Sequence, residues 1–180
     1  LDYVAFVRRR WAWLLANLRR SILLSTSNRS EAAVGYATMD GDTCGGVCPI
    51  GGVDKAFILK WLKWLELSGP AGLGPIKALS CVTKQAPTAE LRPRACLQTD
   101  EDDLMPYEVL DFIERLAIRD KKPPSEVYQA LREEFGERFS EDLLCSNVEK
   151  FFHLWSVNQW KRERYAPSFH LDDANLDPKT

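Results

Sequence analysis

The sequence predicts an α/β fold of a helix-rich kind, and three observations carry that reading. An apolar segment, Ile22-Leu23-Leu24, stops at small hydroxyl residues and gives way to a short helical pattern, as a buried strand does at the edge of an open sheet. Elsewhere, apolar residues recur at three- and four-residue steps, the period of amphipathic helices. Beside five or six such helices the chain offers only one buried strand, or two. So few strands cannot close a sheet, and the remaining ones are expected from polypeptide upstream of Leu1.

In order, the pattern begins with a helix over 2–18, with Val4, Val7, Trp11, Leu14, Leu15 and Leu18 on one face. A strand over 21–25 follows almost without a linker. Asn28 and Glu31 then hold the cap and third positions of a helix start, the spacing of a capping box. From Asp40 to Gly52 the glycines and Pro49 require a loop. Asp54 caps a helix over 55–67, whose inner face is read as Phe57, Ile58, Trp61, Leu62 and Leu65. Residues 68–94 are rich in Gly and Pro and read as irregular. Thr99 and the acid run Asp100 to Asp103 precede a helix to about Ile118, with Pro106 in its first turn and the acids favoured at its N-terminus. Lys121-Lys122-Pro123-Pro124 breaks it. One more helix runs from Ser125 to Phe135 and stops at Gly136, and a last one spans 141–163, burying Leu144, Val148, Phe151, Phe152 and Trp155. The tail from Tyr165 to Thr180 shows no period.

At 180 residues and 45% hydrophobic content, one core and one domain over 1–180 are expected. A formal charge of −2 gives no global reason to expect nucleic acid or an acidic membrane as a partner. Apolar runs are interrupted well short of the ~20 residues a membrane span needs. Arg8, Arg9 and Arg10 fall mid-segment, which is not the order of a signal peptide, so Leu1 is expected to be an internal start. The five cysteines are an odd number without paired spacing, which suits free thiols in a reducing cytoplasm. Cys44 and Cys48 lie four apart, but no second Cys or His pair completes a zinc set.

The stretch Ser25-Thr26-Ser27-Asn28-Arg29-Ser30-Glu31 stands where strand meets helix, the place where open α/β sheets bind nucleotides. Taken with Asp40-Gly41-Asp42, Pro49-Ile50-Gly51-Gly52-Val53-Asp54-Lys55 and Pro87-Thr88-Ala89-Glu90, it resembles NAD synthetase in its glutamine-dependent form. The resemblance covers residues 10–180 and implies the C-terminal part of a Rossmann-like, ATP-pyrophosphatase-type domain. Such enzymes adenylate the nicotinate carboxylate of deamido-NAD with ATP and Mg²⁺, and ammonia derived from glutamine then displaces AMP to give NAD⁺. The family's Ser-Gly-Gly-x-Asp-Ser loop and its nitrilase-like glutaminase domain find no counterpart in these 180 residues, so turnover by the isolated chain is not expected. A homo-oligomer is implied for the full-length enzyme.

Residue by residue, the resemblance puts ATP contacts on Thr26, Lys55 and Thr88, and a Mg²⁺ ligand on Glu31. A carboxylate suits that hard ion, although Glu31 is equally a capping-box residue. Lys55 at a helix N-terminus opposes the dipole, which either a nearby anion or simple solvation accommodates. Thr88 alone reads as an ordinary loop threonine. Lys161 keeps the lysine of a His-Lys pair on deamido-NAD, while Trp160 replaces the histidine and either stacks on a ring or joins the core. The family's substrate lysine falls on Met39 and a substrate aspartate on Gly46, leaving Asp40 and Asp42 as the nominated substitutes. Two rival readings are a non-catalytic assembly module with exposed apolar helix faces and a single-strand binder using Arg8-Arg9-Arg10-Trp11 and Trp160 to Tyr165.

Overall fold

The first helix, α1 (Tyr3–Leu18), carries an apolar stripe that is left bare, with Trp11, Leu14, Leu15 and Leu18 all exposed. The structure, a computed structural model, describes residues 3–41, 43–88, 99–174 and 176. After α1 come α2 (Arg29–Val34), α3 (Lys55–Leu67), a 3-10 turn (Lys77–Leu79), α4 (Ser80–Thr83) and α5 (Asp100–Asp103). Then follow α6 (Tyr107–Glu114), which runs into a π-helical turn (Arg115–Arg119), α7 (Pro124–Phe135), α8 (Glu141–Val157) and α9 (Gln159–Arg162). None of the described helices is long and apolar enough to cross a membrane.

One core is built from α2, α6, α7 and α8. Val34, Leu110, Ile113, Leu131, Leu144 and Phe151 are fully buried within it. Side-chain caps start several helices. The Asn28 side chain accepts from the Glu31 amide while the Glu31 carboxylate accepts from the Asn28 amide, and Asp54 and Ser140 cap α3 and α8. Gly35 ends α2 with φ of 66°, and a Cβ there would stand 2.4 Å from Asn158 Cβ. Glycine is thus required both by the left-handed turn and by the close approach of the residue between α8 and α9.

The strand expected over 21–25 is reduced to a single parallel bridge between Leu24 and Val47, flanked by hydrogen bonds from Ser25 N to Val47 O and from Gly46 N to Leu23 O. It is not buried, since Ile22 and Leu24 are 72% and 54% exposed. A parallel strand is buried only when neighbours pair both its edges and helices cover both its faces. The described residues supply one neighbour, and on that neighbour's other side Cys48 bridges Ser168 in the tail that showed no period.

Other expectations shift for local reasons. Phe57 and Trp61 of α3 point outward and are exposed, while Ile58, Leu62 and Leu65 are half-buried. Within 68–94 the chain forms the 3-10 turn and α4, and Ile76 donates to Leu65 O. The acid run does not open α6. Thr99 and Asp102 form their own capping box around the one-turn α5, and Pro106 precedes α6. The helix expected over 141–163 breaks at Asn158, whose side-chain amide donates to Val34 O across the core. Phe152 and Trp155 are packed against the core without being buried.

Phe151 is fully buried and Trp11 is 60% exposed, so truncating each has unequal consequences. Phe151→Ala is expected to lower unfolding stability by about 3–5 kcal/mol, and Trp11→Ala by about 0.5 kcal/mol or less. Urea denaturation followed by circular dichroism measures both.

Candidate functional site

The bridged segment delivers Thr26 and Ser27 to the start of α2, and the loop 48–54 delivers Lys55 to the start of α3. Glu31, in the first turn of α2, meets both. Its Oε1 accepts from Lys55 Nζ at 3.1 Å, and its Oε2 accepts from Ser27 Oγ at 3.2 Å and the Asn28 amide at 3.4 Å. The anion that compensates Lys55 is therefore Glu31, and Glu31 serves as both cap and ion-pair partner. Both side chains keep partial access to solvent, at 17% and 19%. Lys55 Nζ also stands 5.7 Å from the centre of the Tyr107 ring, within cation–π range.

The N-terminus of α3 is closed by side chains. Lys55 N donates to Ser30 Oγ at 2.9 Å, Ala56 N to Asp111 Oδ2 at 2.9 Å, and Phe57 N to Asp54 Oδ1 at 2.6 Å. These are three of the amides a helix leaves without intrahelical partners. An anion near this turn is thus met by the Lys55 ammonium and not by free helix amides.

Beneath lies a charge cluster centred on buried Arg29 and Glu114 and reaching solvent at Asp172. Arg29 Nε is 2.6 Å from Glu114 Oε1, and Nη1 reaches both oxygens of Asp172 at 2.7 and 2.8 Å. Arg29 also donates to Gly52 O and to Asp54 Oδ2, each at 3.2 Å. Burial drives the Glu114 carboxyl well above the usual range, with the Arg29 charge pulling the other way and Asp111 adding to the rise. Burial, against a hydrogen bond from Ser30 and helped by the Asp54 charge, pushes the Asp111 carboxyl up to about 7.

Near Lys55 a second network joins Tyr107 Oη to Asp100 Oδ2 at 3.2 Å, while Tyr36 Oη lies 3.2 Å from both Asp100 Oδ1 and Asp103 Oδ2. Burial and the Asp100 charge raise both phenols, which stay protonated as donors.

The structure groups some of the residues singled out above and separates others. Thr26 is exposed and immediately precedes Ser27, the residue that donates to Glu31 ahead of α2. Lys161 belongs to the opposite end, where its Nζ donates to Gly35 O at 2.7 Å and Ala37 O at 3.2 Å. It thereby serves the carbonyl end of α2, where the dipole favours a cation. Asp40 is exposed with φ of 54°, its amide donating to Thr43 Oγ1. Trp160 is 49% exposed and so is not a core residue. Thr88 is exposed, Met39 is half-buried, Gly46 donates its amide to Leu23 O, and Asp42 lies outside the described residues. Arg162, part of the basic run read as a strand-binding patch, is buried. It stacks 3.7 Å from the Trp155 ring and donates to Ala33 O at 3.0 Å. The four described cysteines are free thiols, and Cys48 is buried with its Sγ 2.9 Å from Ser27 O.

Sequence reasoning missed Ser27, Arg29, Ser30, Asp111 and Glu114. One signal was available for the two acids. Asp111 and Glu114 sit four and seven residues after Tyr107, on the stripe that also holds Leu110, so two carboxylates face the core.

Two outcomes follow from the buried charges. Arg29→Ala is expected to cost about 3–5 kcal/mol, because it strands Glu114 without a partner, as urea denaturation would read. An acid raised in the folded state binds its proton more tightly there than when unfolded. Asp111 therefore stabilises below its unfolded value near 4 and loses that contribution as pH rises through about 7. The stability of Asp111→Asn minus that of the parent is expected to grow from about pH 4 to about pH 7 and then level off, in denaturation curves recorded across that range.

With this geometry in view, the relatives can be placed. Residues 3–164 match the family profile described as NAD synthase. The chain is 40% identical over 160 residues to the glutamine-dependent NAD(+) synthetase of Aquifex aeolicus, covering 89% of this chain and 25% of that protein. Against the Xylella fastidiosa protein of the same description it is 34% identical over 158 residues, covering 85% of this chain and 25% of that one. The crystal structure of a glutamine-dependent NAD(+) synthetase from Cytophaga hutchinsonii superposes with a TM-score of 0.76 at 44% identity, over 98% of this chain and 26% of that one. The chain spans about a quarter of the length of these relatives. A profile matching most of the sequence, and a solved fold shared over nearly all of it, establish that the chain belongs to the NAD synthase family.

Proposed function

We propose that this chain forms the C-terminal, nucleotide-facing portion of an ATP-pyrophosphatase-type domain in a glutamine-dependent NAD synthetase. The reaction of the whole enzyme is the ATP-dependent amidation of deamido-NAD to NAD⁺ through an acyl-adenylate. A carboxylate is a poor electrophile, and joining it to AMP supplies a leaving group that ammonia can displace. What the protein contributes is placement and charge compensation on the phosphates. Thr26, Lys55 and Thr88 are assigned to ATP, and Lys161, Trp160, Asp40 and Asp42 to deamido-NAD.

The observation that carries this reading is the meeting of Glu31 and Lys55 at 3.1 Å, at the hand-over from the bridged segment to α2. In the resting pair each charge compensates the other, so neither needs a counter-ion. Mg²⁺·ATP brings both a cation and phosphate anions, and the pair would exchange its internal partner for the nucleotide's phosphates and metal. The donors present suit Mg²⁺, a hard ion held by one or two carboxylates with phosphates and waters. Glu31 supplies the carboxylate and Ser27 a hydroxyl beside it. The metal's chemistry there is neutralisation of phosphate charge. Lys55 holds and orients the phosphates, and Tyr107 confines the ammonium from behind.

The six residues of α2 span about 9 Å, separating the phosphate-facing residues from Lys161 at its other end. The bare faces of α1 and α3 support working as one part of a larger, homo-oligomeric assembly, and the free thiols suit the cytoplasm. The single-strand reading loses one basic residue of its second cluster, because Arg162 is buried.

Isothermal titration of the chain with ATP tests the assignment. Lys55→Ala is expected to weaken Mg²⁺·ATP binding about tenfold or more, the loss of one charge-assisted hydrogen bond. Glu31→Gln should abolish the advantage of Mg²⁺ over EDTA. Placed at the matching positions of the Cytophaga hutchinsonii enzyme, both changes should sharply lower deamido-NAD-dependent pyrophosphate release. Unchanged release in both would overturn the assignment.

A further inference from the structure

Lys55 and Glu31 belong to different helices, and an ion pair between two partly exposed side chains does not hold helices in register by itself. Something more rigid has to fix where the ammonium sits relative to the carboxylate. Two oxygens of one side chain reach both helices. Asp111 Oδ1 accepts from Ser30 Oγ at 2.5 Å, and Asp111 Oδ2 accepts from Ala56 N at 2.9 Å. Ser30 immediately precedes Glu31, and Ala56 immediately follows Lys55. The Ser30 hydroxyl closes the ring by accepting from Lys55 N at 2.9 Å while donating to Asp111.

From this ring we infer that Asp111 is a positioning residue that sets the register between Glu31 and Lys55, acting through Ser30 and the first amides of α3. The assignment rests on reading Glu31 and Lys55 as the metal- and phosphate-facing pair. Asp111 itself touches neither side chain and is not a catalytic residue. Its platform is firm, because α6 lies in the core with Leu110 and Ile113 fully buried on either side of it in sequence. Ser30 is likewise fully buried. The Ser30 hydroxyl serves at once as donor and acceptor, so the links to Lys55 N and to Asp111 meet at one buried oxygen. Arg29 braces the same turn from Asp54 but reaches neither Ser30 nor Ala56, which leaves the Asp111 tie as a separate constraint.

The test reads position first, without nucleotide. Amide hydrogen exchange and the order parameter of the Lys55 ammonium group are measured by NMR on the parent chain, Asp111→Ala and Asp111→Asn. Asp111→Ala is expected to speed exchange at Lys55 and Ala56 at least about tenfold, with core amides of α8 unchanged, and to release the ammonium to the mobility of a surface lysine. Asp111→Asn offers an acceptor to Ala56 N and an amide toward Ser30, and should restore both signals to within about threefold of the parent. Should Asp111→Ala fail to fold, Ser30→Ala cuts the same ring with a smaller change and is expected to loosen Lys55 N alone. Parent-like exchange and ammonium order in the variant that folds would overturn the inference.

Titration of the same samples with Mg²⁺·ATP then separates the two readings. Binding that weakens in Asp111→Ala and returns in Asp111→Asn supports both. A parent chain that shows the positional changes but binds no Mg²⁺·ATP upholds the tie and counts against the nucleotide assignment. Binding by the parent with no positional change in Asp111→Ala removes the tie and leaves that assignment standing.

Discussion

The whole arrangement depends on Arg29 being buried with its charge compensated. One guanidinium gathers the carbonyl of Gly52, the cap of α3, an acid on α6 and an acid from the tail, four points from three stretches of chain. The planar fork suits this work, since its donors reach several directions at fixed angles where an ammonium would offer a single point. A buried ion cluster is weak evidence for stability, because desolvation offsets most of the attraction. Its value here is that it fixes relative position. Arg29 thus ties the start of α2 to the loop and cap that lead into α3, alongside the separate tie that Asp111 makes.

From that hub the site is assembled by linked hydrogen bonds. The capping box aims the Glu31 carboxylate back along its own helix, and the same carboxylate then has one oxygen left for Lys55. Because the first amides of α3 are already engaged, the lysine ammonium is the positive group this turn presents. Cap, ion pair and core are different uses of a handful of polar atoms. A change to one is felt by the others, which is the ordinary behaviour of a buried polar network.

Much of the fold was legible from local signals. Asn28 with Glu31, Asp54, and Gly136 after Phe135 announced helix ends that the structure reproduces. What failed were statements about neighbours. The residues at 21–25 have strand character, but burial belongs to what surrounds a strand, and only one partner is present among the described residues. Phe57 and Trp61 share the apolar pattern of α3, yet period alone does not say which side of a broad stripe meets the core. The break at Asn158 answers a distant carbonyl at Val34, which no local pattern encodes. At the site, Glu31 and Lys55 were visible through resemblance, whereas Ser30 and Asp111 acquire meaning only once two helices 81 residues apart are brought together.

The capping of α2 by Lys161 bears on what can bind at that end of the helix. Its ammonium already neutralises the partial negative charge on the Gly35 and Ala37 carbonyls. An incoming acidic ligand that recruits this lysine must compete with those carbonyls and leaves them bare. The hydrogen bonds given up at that end are therefore set against whatever such a ligand gains from the ammonium.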